Sequence, residues 1–279
     1  MTLESCKIPA DQQDAVRSSS AARPADGLNR VFDFLSGMFK YVIHAPPVWI
    51  PLALLVSATI IFWVTDIDLQ LSRPFYISGG SYMESNSNWP LRSAQPWKSL
   101  NNYGVYPAMI IGAGGLLVFV ISLFWSKLRA GRDAGLFFAL MLALGPGLLI
   151  NGIFKPYWGR PRPNDTIPLG GQRAFLPVGD IGISDGASFP SGHASMGFYL
   201  MAPGFVFYRR RPRLAAAFFI LGLAGGTIMG LARIVGGSHF ASDVVWSAGI
   251  VYFTGLALSA VFRFGVKDSG FRIQGSESN

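Results

Sequence analysis

Charge is scarce in this chain. Only 14% of its 279 residues are Asp, Glu, Lys or Arg, 51% are hydrophobic, and the mean hydropathy is +0.38. That balance argues against a water-soluble globular domain and makes the bilayer the solvent to reason with. Cysteine is scarcer still. Cys6 stands alone, which excludes an intrachain disulfide framework and a thiolate metal cluster and leaves thiol redox chemistry without a basis.

What the chain has in quantity is apolar length. Six runs, residues 48–64, 105–125, 134–154, 192–208, 214–231 and 244–262, are nearly free of charge and approach the roughly twenty residues needed to cross a hydrocarbon core. They predict an all-α polytopic membrane protein, a bundle of six transmembrane helices. Residues 1–45 then form an N-terminal tail, 46–265 the membrane domain and 266–279 a C-terminal tail. The segment before the first run is too long and too polar for a simple cleaved signal peptide, so that run is expected to be retained. Residues 1–28 read as flexible. In "NRVFDFLSGMFKYV", Val31, Phe32, Phe34, Leu35, Met38 and Phe39 recur at helical spacing beside Arg30, Asp33 and Lys40, as in an amphipathic helix lying on the inner membrane surface.

The net charge of +8 sorts by loop. Lys7, Arg17, Arg23, Arg30 and Lys40 precede the first run. Lys127, Arg129 and Arg132 separate the second from the third, Arg209, Arg210, Arg211 and Arg213 the fourth from the fifth, and Arg263, Lys267 and Arg272 follow the sixth. With six crossings these segments share one side, which the positive-inside rule makes the cytoplasm. Both termini are then cytoplasmic and the other loops face out, into the periplasm if the membrane is a bacterial inner membrane. Topology accounts for the basic residues, and nucleic acid is not an expected partner.

Other features read as packing or boundary devices. The loop Asp66 to Gly104 carries Phe75, Tyr76, Tyr82, Trp89, Trp97 and Tyr103, the composition of an interfacial aromatic belt, with a lid over a lipid-facing site as the sharper alternative. Gly145-Pro146-Gly147 predicts a kink, and Gly222, Gly225, Gly226 and Gly230 predict close helix approach. Asn164-Asp165-Thr166 matches a glycosylation acceptor pattern that is common by chance. No internal repeat is visible.

The outward ends of the runs hold three polar clusters. "KPYWGRPRP" brings Lys155, Arg160 and Arg162; "PSGH" brings Ser191, Gly192 and His193; "ARIVGGSHFASD" brings Arg233, His239 and Asp243. Taken singly, a histidine at a helix end is a cap and a lysine or arginine at a membrane edge is a snorkelling anchor. Their coincidence on the side with fewer basic residues favours chemistry, because charge at a span end is costly without a partner. Lys155, Arg162 and Arg233 suit the spread charge of a phosphate. The Gly192 amide at a helix start and the Ser191 hydroxyl add donors. Asp243 is the sole acid in the three clusters, too few oxygens for a hard divalent cation, so no metal or other cofactor is expected. His239 and Asp243, four residues apart, share a face once the last helix begins, and an aspartate on one imidazole nitrogen leaves the other free as a nucleophile. His193 is placed to protonate a leaving alkoxide and then to take a proton from water. His44, on the cytoplasmic side, is assigned no chemistry.

These residues resemble the three motifs of the type 2 phosphatidic acid phosphatase superfamily: K-x6-R-P at Lys155 to Pro163, P-S-G-H at Pro190 to His193, and R-x5-H-x3-D at Arg233 to Asp243. The resemblance covers about residues 45–264. It implies an all-helical bundle and metal-independent hydrolysis of a lipid phosphate. Lys155, Arg162, Ser191, Gly192 and Arg233 would hold the phosphate, with His193 as acid, His239 as nucleophile and Asp243 as its orienting partner. One departure is Ala232, where the family has serine before the arginine. Soluble vanadium haloperoxidases share the motifs, but six spanning runs oppose that alternative. The implied substrate is lipid A, undecaprenyl diphosphate or a glycerophospholipid phosphate. A lipid-to-lipid phosphotransferase and a non-catalytic lipid-phosphate binder or transporter remain as alternatives, the latter supported only by Asn151 inside a run.

Overall fold

The computed structural model describes residues 46–79, 88–182, 186–262 and 264. The amphipathic segment, both tails, Cys6, His44 and Tyr82 lie outside the described residues. Among those described there is no strand, only an isolated bridge between Thr166 and Arg173.

Helix α1, Pro46–Val64, is followed by α2, Ile67–Ser72, and the two stretches meet at a bend of 88°. Helix α3, Trp97–Tyr103, leads into α4, Tyr106–Phe124. After a 3-10 turn at Ser126–Gly131, α5, Arg132–Leu142, widens into a π-helix over Ala143–Phe154 and tightens again as α6, Lys155–Trp158. An irregular segment precedes α7, Gly192–Phe198, and α8, Ala202–Phe207, which are joined by a 3-10 turn. Helices α9, Pro212–Val235, and α10, Ala241–Phe262, complete the bundle.

Among the described residues four helical stretches are long and apolar enough to cross a membrane, and the bent α1–α2 pair makes a fifth if it counts as one span. The run at 192–208 differs from expectation: it forms three short pieces. Pro203, which lacks an N–H, falls in the first turn of a restarted helix, where none is needed. Ala194, Tyr199 and Ala202 there are fully buried, so the segment is enclosed by protein and its broken backbone does not meet lipid. Outward-facing Leu54, Phe124 and Ile220 are strongly exposed, as lipid-facing side chains are in a bundle seen without its bilayer.

Gly145-Pro146-Gly147 falls inside the π-helix, which takes up the missing proline donor by widening. The side-chain amide of Asn151 donates to the Pro146 carbonyl at 2.7 Å. The predicted close approaches are present. A Cβ on Gly222 would lie 2.5 Å from the Met201 amide nitrogen, and one on Gly226 would enter the Phe198 ring. Helix α7 is thereby seated directly on α9. A core of Phe137, Met141, Tyr199, Phe205 and Val251 fills the bundle, and the Tyr199 hydroxyl donates to the Phe138 carbonyl at 2.7 Å. A smaller cluster of Leu69, Trp89, Leu169 and Phe240 packs elsewhere, next in sequence to His239.

Candidate active site

Lys155 opens α6, one turn after Asn151. The helix ends at Gly159, whose left-handed φ of 64° a side chain would resist, and this turn carries the chain to Arg160 and Arg162. Lys155 is within electrostatic reach of Arg162, Arg233 and Asp243, so the first and third motifs do converge. The second joins them at Gly192. A Cβ there would stand 2.9 Å from Asn151 Oδ1 and 3.4 Å from Lys155 Nζ, so glycine is what lets the lysine lie against the start of α7. The Ser191 hydroxyl accepts from the Ala194 amide at 3.4 Å, a long N-cap contact, and the Ser191 amide donates to the Asp243 carbonyl at 3.2 Å. His193, half-buried, hydrogen-bonds to the backbone of Asn101 and feels Arg233, Lys155 and Arg162.

At the end of α9 the chain doubles back. Gly237, at φ 64° and packed against the Trp89 ring, lets the amides of Ser238 and His239 both point to the Arg233 carbonyl, at 2.9 and 3.3 Å. His239 is thereby set 1% exposed, within electrostatic reach of the half-exposed Lys155 and Arg233. Its Nδ1 lies 3.5 Å from Asp243 Oδ2, longer than a good hydrogen bond and within reach of one on a small adjustment. Burial pushes the imidazole down to about 4; the Asp243 carboxylate pulls the other way, while Arg233 and Lys155 add to the lowering. The ring is therefore neutral at neutral pH, with a lone pair to use.

Asp243 sits in the first turn of α10 and reaches back to accept from the Phe240 amide at 2.8 Å, as the acid of a capping box does. Its Oδ2 also accepts from the Ser188 hydroxyl at 2.6 Å and its Oδ1 from Arg160 Nη1 at 2.6 Å. Among the described residues no group of three or more His, Cys, Asp or Glu side chains is disposed to hold a metal ion. The cluster is instead rich in cations. Arg233 Nη1 donates to Asn101 Oδ1 at 3.3 Å, whereas its buried Nε has no partner.

Residues 134–266, which carry all three clusters, match the model of the PAP2 superfamily. The similarity to this superfamily lies in that stretch of the chain. Lipid A 4'-phosphatases are similar: one from Francisella tularensis subsp. novicida is 39% identical over 140 residues, 49% of this chain and 62% of that protein. One from Rhizobium leguminosarum is 36% identical over 120 residues, 41% of this chain and 50% of that protein, and one from Rhizobium etli 32% over 139 residues, 47% and 48% respectively. The chain thus spans between about half and three fifths of the length of these curated relatives. The crystal structure of a transmembrane PAP2-type phosphatidylglycerolphosphate phosphatase from Bacillus subtilis covers 82% of this chain and 93% of its own at 19% identity, but its TM-score of 0.39 is too low to carry an argument.

The structure brings to the site residues that sequence reasoning did not place there. Asn151 faces Gly192 and Lys155, and its place one turn before Lys155 was the available signal. Arg92, from the loop between α2 and α3, packs its stem near Gly236 and stands within electrostatic reach of Arg233, its buried Nη1 without a hydrogen-bond partner among the described residues. Nothing local marks it. Part of the loop expected to be an aromatic belt is folded against the site: Trp89 is 1% exposed and Asn101 touches both Arg233 and His193, although Tyr103 is exposed as a belt residue would be. Ala232 is fully buried, so the missing serine hydroxyl is missing from a protein-enclosed position.

Proposed function

We propose that the chain is an integral membrane phosphatase that hydrolyses a phosphomonoester or diphosphate of a lipid through a phosphohistidine at His239, with neither metal nor other cofactor. One observation carries this: a buried His239, with Asp243 3.5 Å from its Nδ1, lies within electrostatic reach of Lys155 and Arg233, which in turn neighbour Arg162. The cations, with the Ser191 hydroxyl and the Gly192 amide, hold the phosphate oxygens and offset the charge that spreads over them in the transition state. The His239 lone pair attacks phosphorus as the P–O bond to the lipid breaks, and His193 gives its proton to the departing oxygen. Asp243 stabilises the positive charge on the imidazole. His193 then takes a proton from water, whose oxygen attacks the phosphohistidine and releases inorganic phosphate with His239 restored.

Lipid A is the favoured substrate, on the activity for which the similar proteins are named. The outer face is favoured by α9. Its 24 residues extend about 36 Å, with the Arg209–Arg213 cluster before one end and Arg233 at the other. The basic loop and the site are therefore about one bilayer apart, and the positive-inside rule puts the loop in the cytoplasm. The test is phosphate release by purified protein from lipid A, undecaprenyl diphosphate, phosphatidate and phosphatidylglycerol phosphate, with and without chelator. Release that survives chelator and is lost in His239→Ala is expected. Full activity in His239→Ala, or no release from any of the four, overturns the proposal.

A further inference from the structure

Behind His239 and Asp243 lies a second carboxylate that the proposed chemistry does not use. Asp68, on α2, is completely buried, as are Arg160 and Asp243. The Arg160 guanidinium lies between the two acids. Its Nη2 donates to Asp68 Oδ2 at 2.8 Å, its Nη1 to Asp243 Oδ1 at 2.6 Å and to the Ser242 hydroxyl at 2.7 Å, and its Nε to the Leu176 carbonyl at 2.9 Å. One face of the fork lies 4.5 Å from the centre of the Phe240 ring. Ser242 closes the circuit: its amide donates to Asp68 Oδ1 at 2.9 Å and its hydroxyl to Asp68 Oδ2.

Two carboxylates around one guanidinium leave a net negative charge in the interior. As a source of stability this is poor, because desolvation cancels much of the attraction and apolar replacements of such groups are often neutral or better. Full burial also keeps Asp68 from any substrate. What the arrangement supplies is geometry. Arg160 holds Asp243 Oδ1 while Ser188 and the Phe240 amide hold Oδ2, so the carboxylate plane cannot turn and Oδ2 stays toward His239. The fork is rigid and planar, so its aim at Asp243 depends on what anchors its other end.

We infer that Asp68 is a positioning residue for the reaction: through Arg160 it fixes the plane of Asp243 and so the aim of the His239 imidazole. The orienting device is then a chain of four buried groups, Asp68, Arg160, Asp243 and His239, assembled from three separate parts of the sequence. This rests on the proposal that His239 is the nucleophile.

Phosphate release from the lipid phosphate that the unmodified protein turns over fastest, measured for Asp68→Asn, Asp243→Asn and the double variant, tests it. Asp68→Asn is expected to lower kcat about ten- to hundredfold, the range seen when a partner that orients a ligand histidine from behind is removed, with KM within about twofold. In the Asp243→Asn background the same change is expected to cost less than about threefold, because residues acting through one another are non-additive. An unchanged kcat, a loss carried by KM, or an equal loss in both backgrounds overturns the inference. Should Asp68→Asn not fold, Ser242→Ala removes only the hydroxyl joining Arg160 to Asp68. A fall in kcat of about fivefold that disappears with Asp243→Asn supports the inference, and no fall overturns it. His239→Ala separates the two levels: activity retained there refutes the nucleophile, whereas its loss there with full activity in Asp68→Asn refutes Asp68 alone.

Discussion

Replacing Gly192 by alanine should separate activity from stability. The new Cβ would stand 2.9 Å from Asn151 Oδ1, 3.4 Å from its Nδ2 and 3.4 Å from Lys155 Nζ, so the first contact falls about 0.5 Å short of ordinary van der Waals distance. Both neighbours are ends of side chains, able to move without disturbing a backbone. The fold should therefore survive, and alanine at a helical position gains up to about 1 kcal/mol of propensity over glycine. Function has no such tolerance. The methyl group would occupy the approach to the α7 amides and push Asn151, with Lys155 in contact beside it, from the place proposed for the phosphate. A shift of about 1 Å in such a group costs up to about a hundredfold in rate. Gly192→Ala is thus expected to lower kcat/KM between about tenfold and a hundredfold while the thermal unfolding midpoint in detergent stays level or rises. A folded variant with unchanged kcat/KM would refute the placement of phosphate at this helix end; one that fails to fold would refute the claim that the crowding falls only on mobile atoms.

Two further outcomes follow from the site. His239, held at about 4 by burial against the pull of Asp243, keeps its lone pair through the neutral range and loses it as the pH falls through about 4. Single-turnover formation of the phosphoenzyme should therefore show its enzyme-side acid limb near 4, and a limb at 6.5 that moves with changes at Asp243 would contradict the environment described. Arg92, whose unpartnered Nη1 lies by Arg233, should contribute one charge-assisted hydrogen bond to the bound anion. Arg92→Ala is expected to raise KM about tenfold, the equivalent of about 1.5 kcal/mol, with kcat little changed, in steady-state phosphate release; an unaltered KM would place that guanidinium outside the site.

The convergence of Lys155, Arg162, Gly192, His193, Arg233, His239 and Asp243 was legible because each cluster sits at the end of an apolar run, and span ends on one side of a bundle have few places to go. The four-residue step from His239 to Asp243 was legible for a simpler reason, the pitch of the helix that Asp243 enters. Arg160 was visible in its motif but not interpretable, since its partner Asp68 is 92 residues away and only the bend between α1 and α2 brings it inward. Likewise the run at 192–208 has the composition of a span, and hydropathy alone does not distinguish a helix facing lipid from one wrapped in protein. Its breaks at Tyr199–Met201 became intelligible only with α9 and α10 packed around it. The π-helix shows the same limit: Pro146 announces a missing hydrogen bond, not whether the chain bends or widens in response.

The depth of His239 has a consequence for molecular selection. With the ring almost wholly covered and Lys155 and Arg233 within electrostatic reach of it, in-line displacement at His239 would require the departing oxygen to point away from the imidazole. A terminal phosphate can enter in that way, since everything bulky trails behind one oxygen. A phosphodiester would carry its second substituent on an equatorial oxygen, among the cations proposed to hold the phosphate, where a bare oxygen fits and a bulky group does not. On the proposed mechanism, recessing His239 would act as a gauge that spares the diester linkages of surrounding phospholipids while admitting a molecule whose phosphate stands free at its tip.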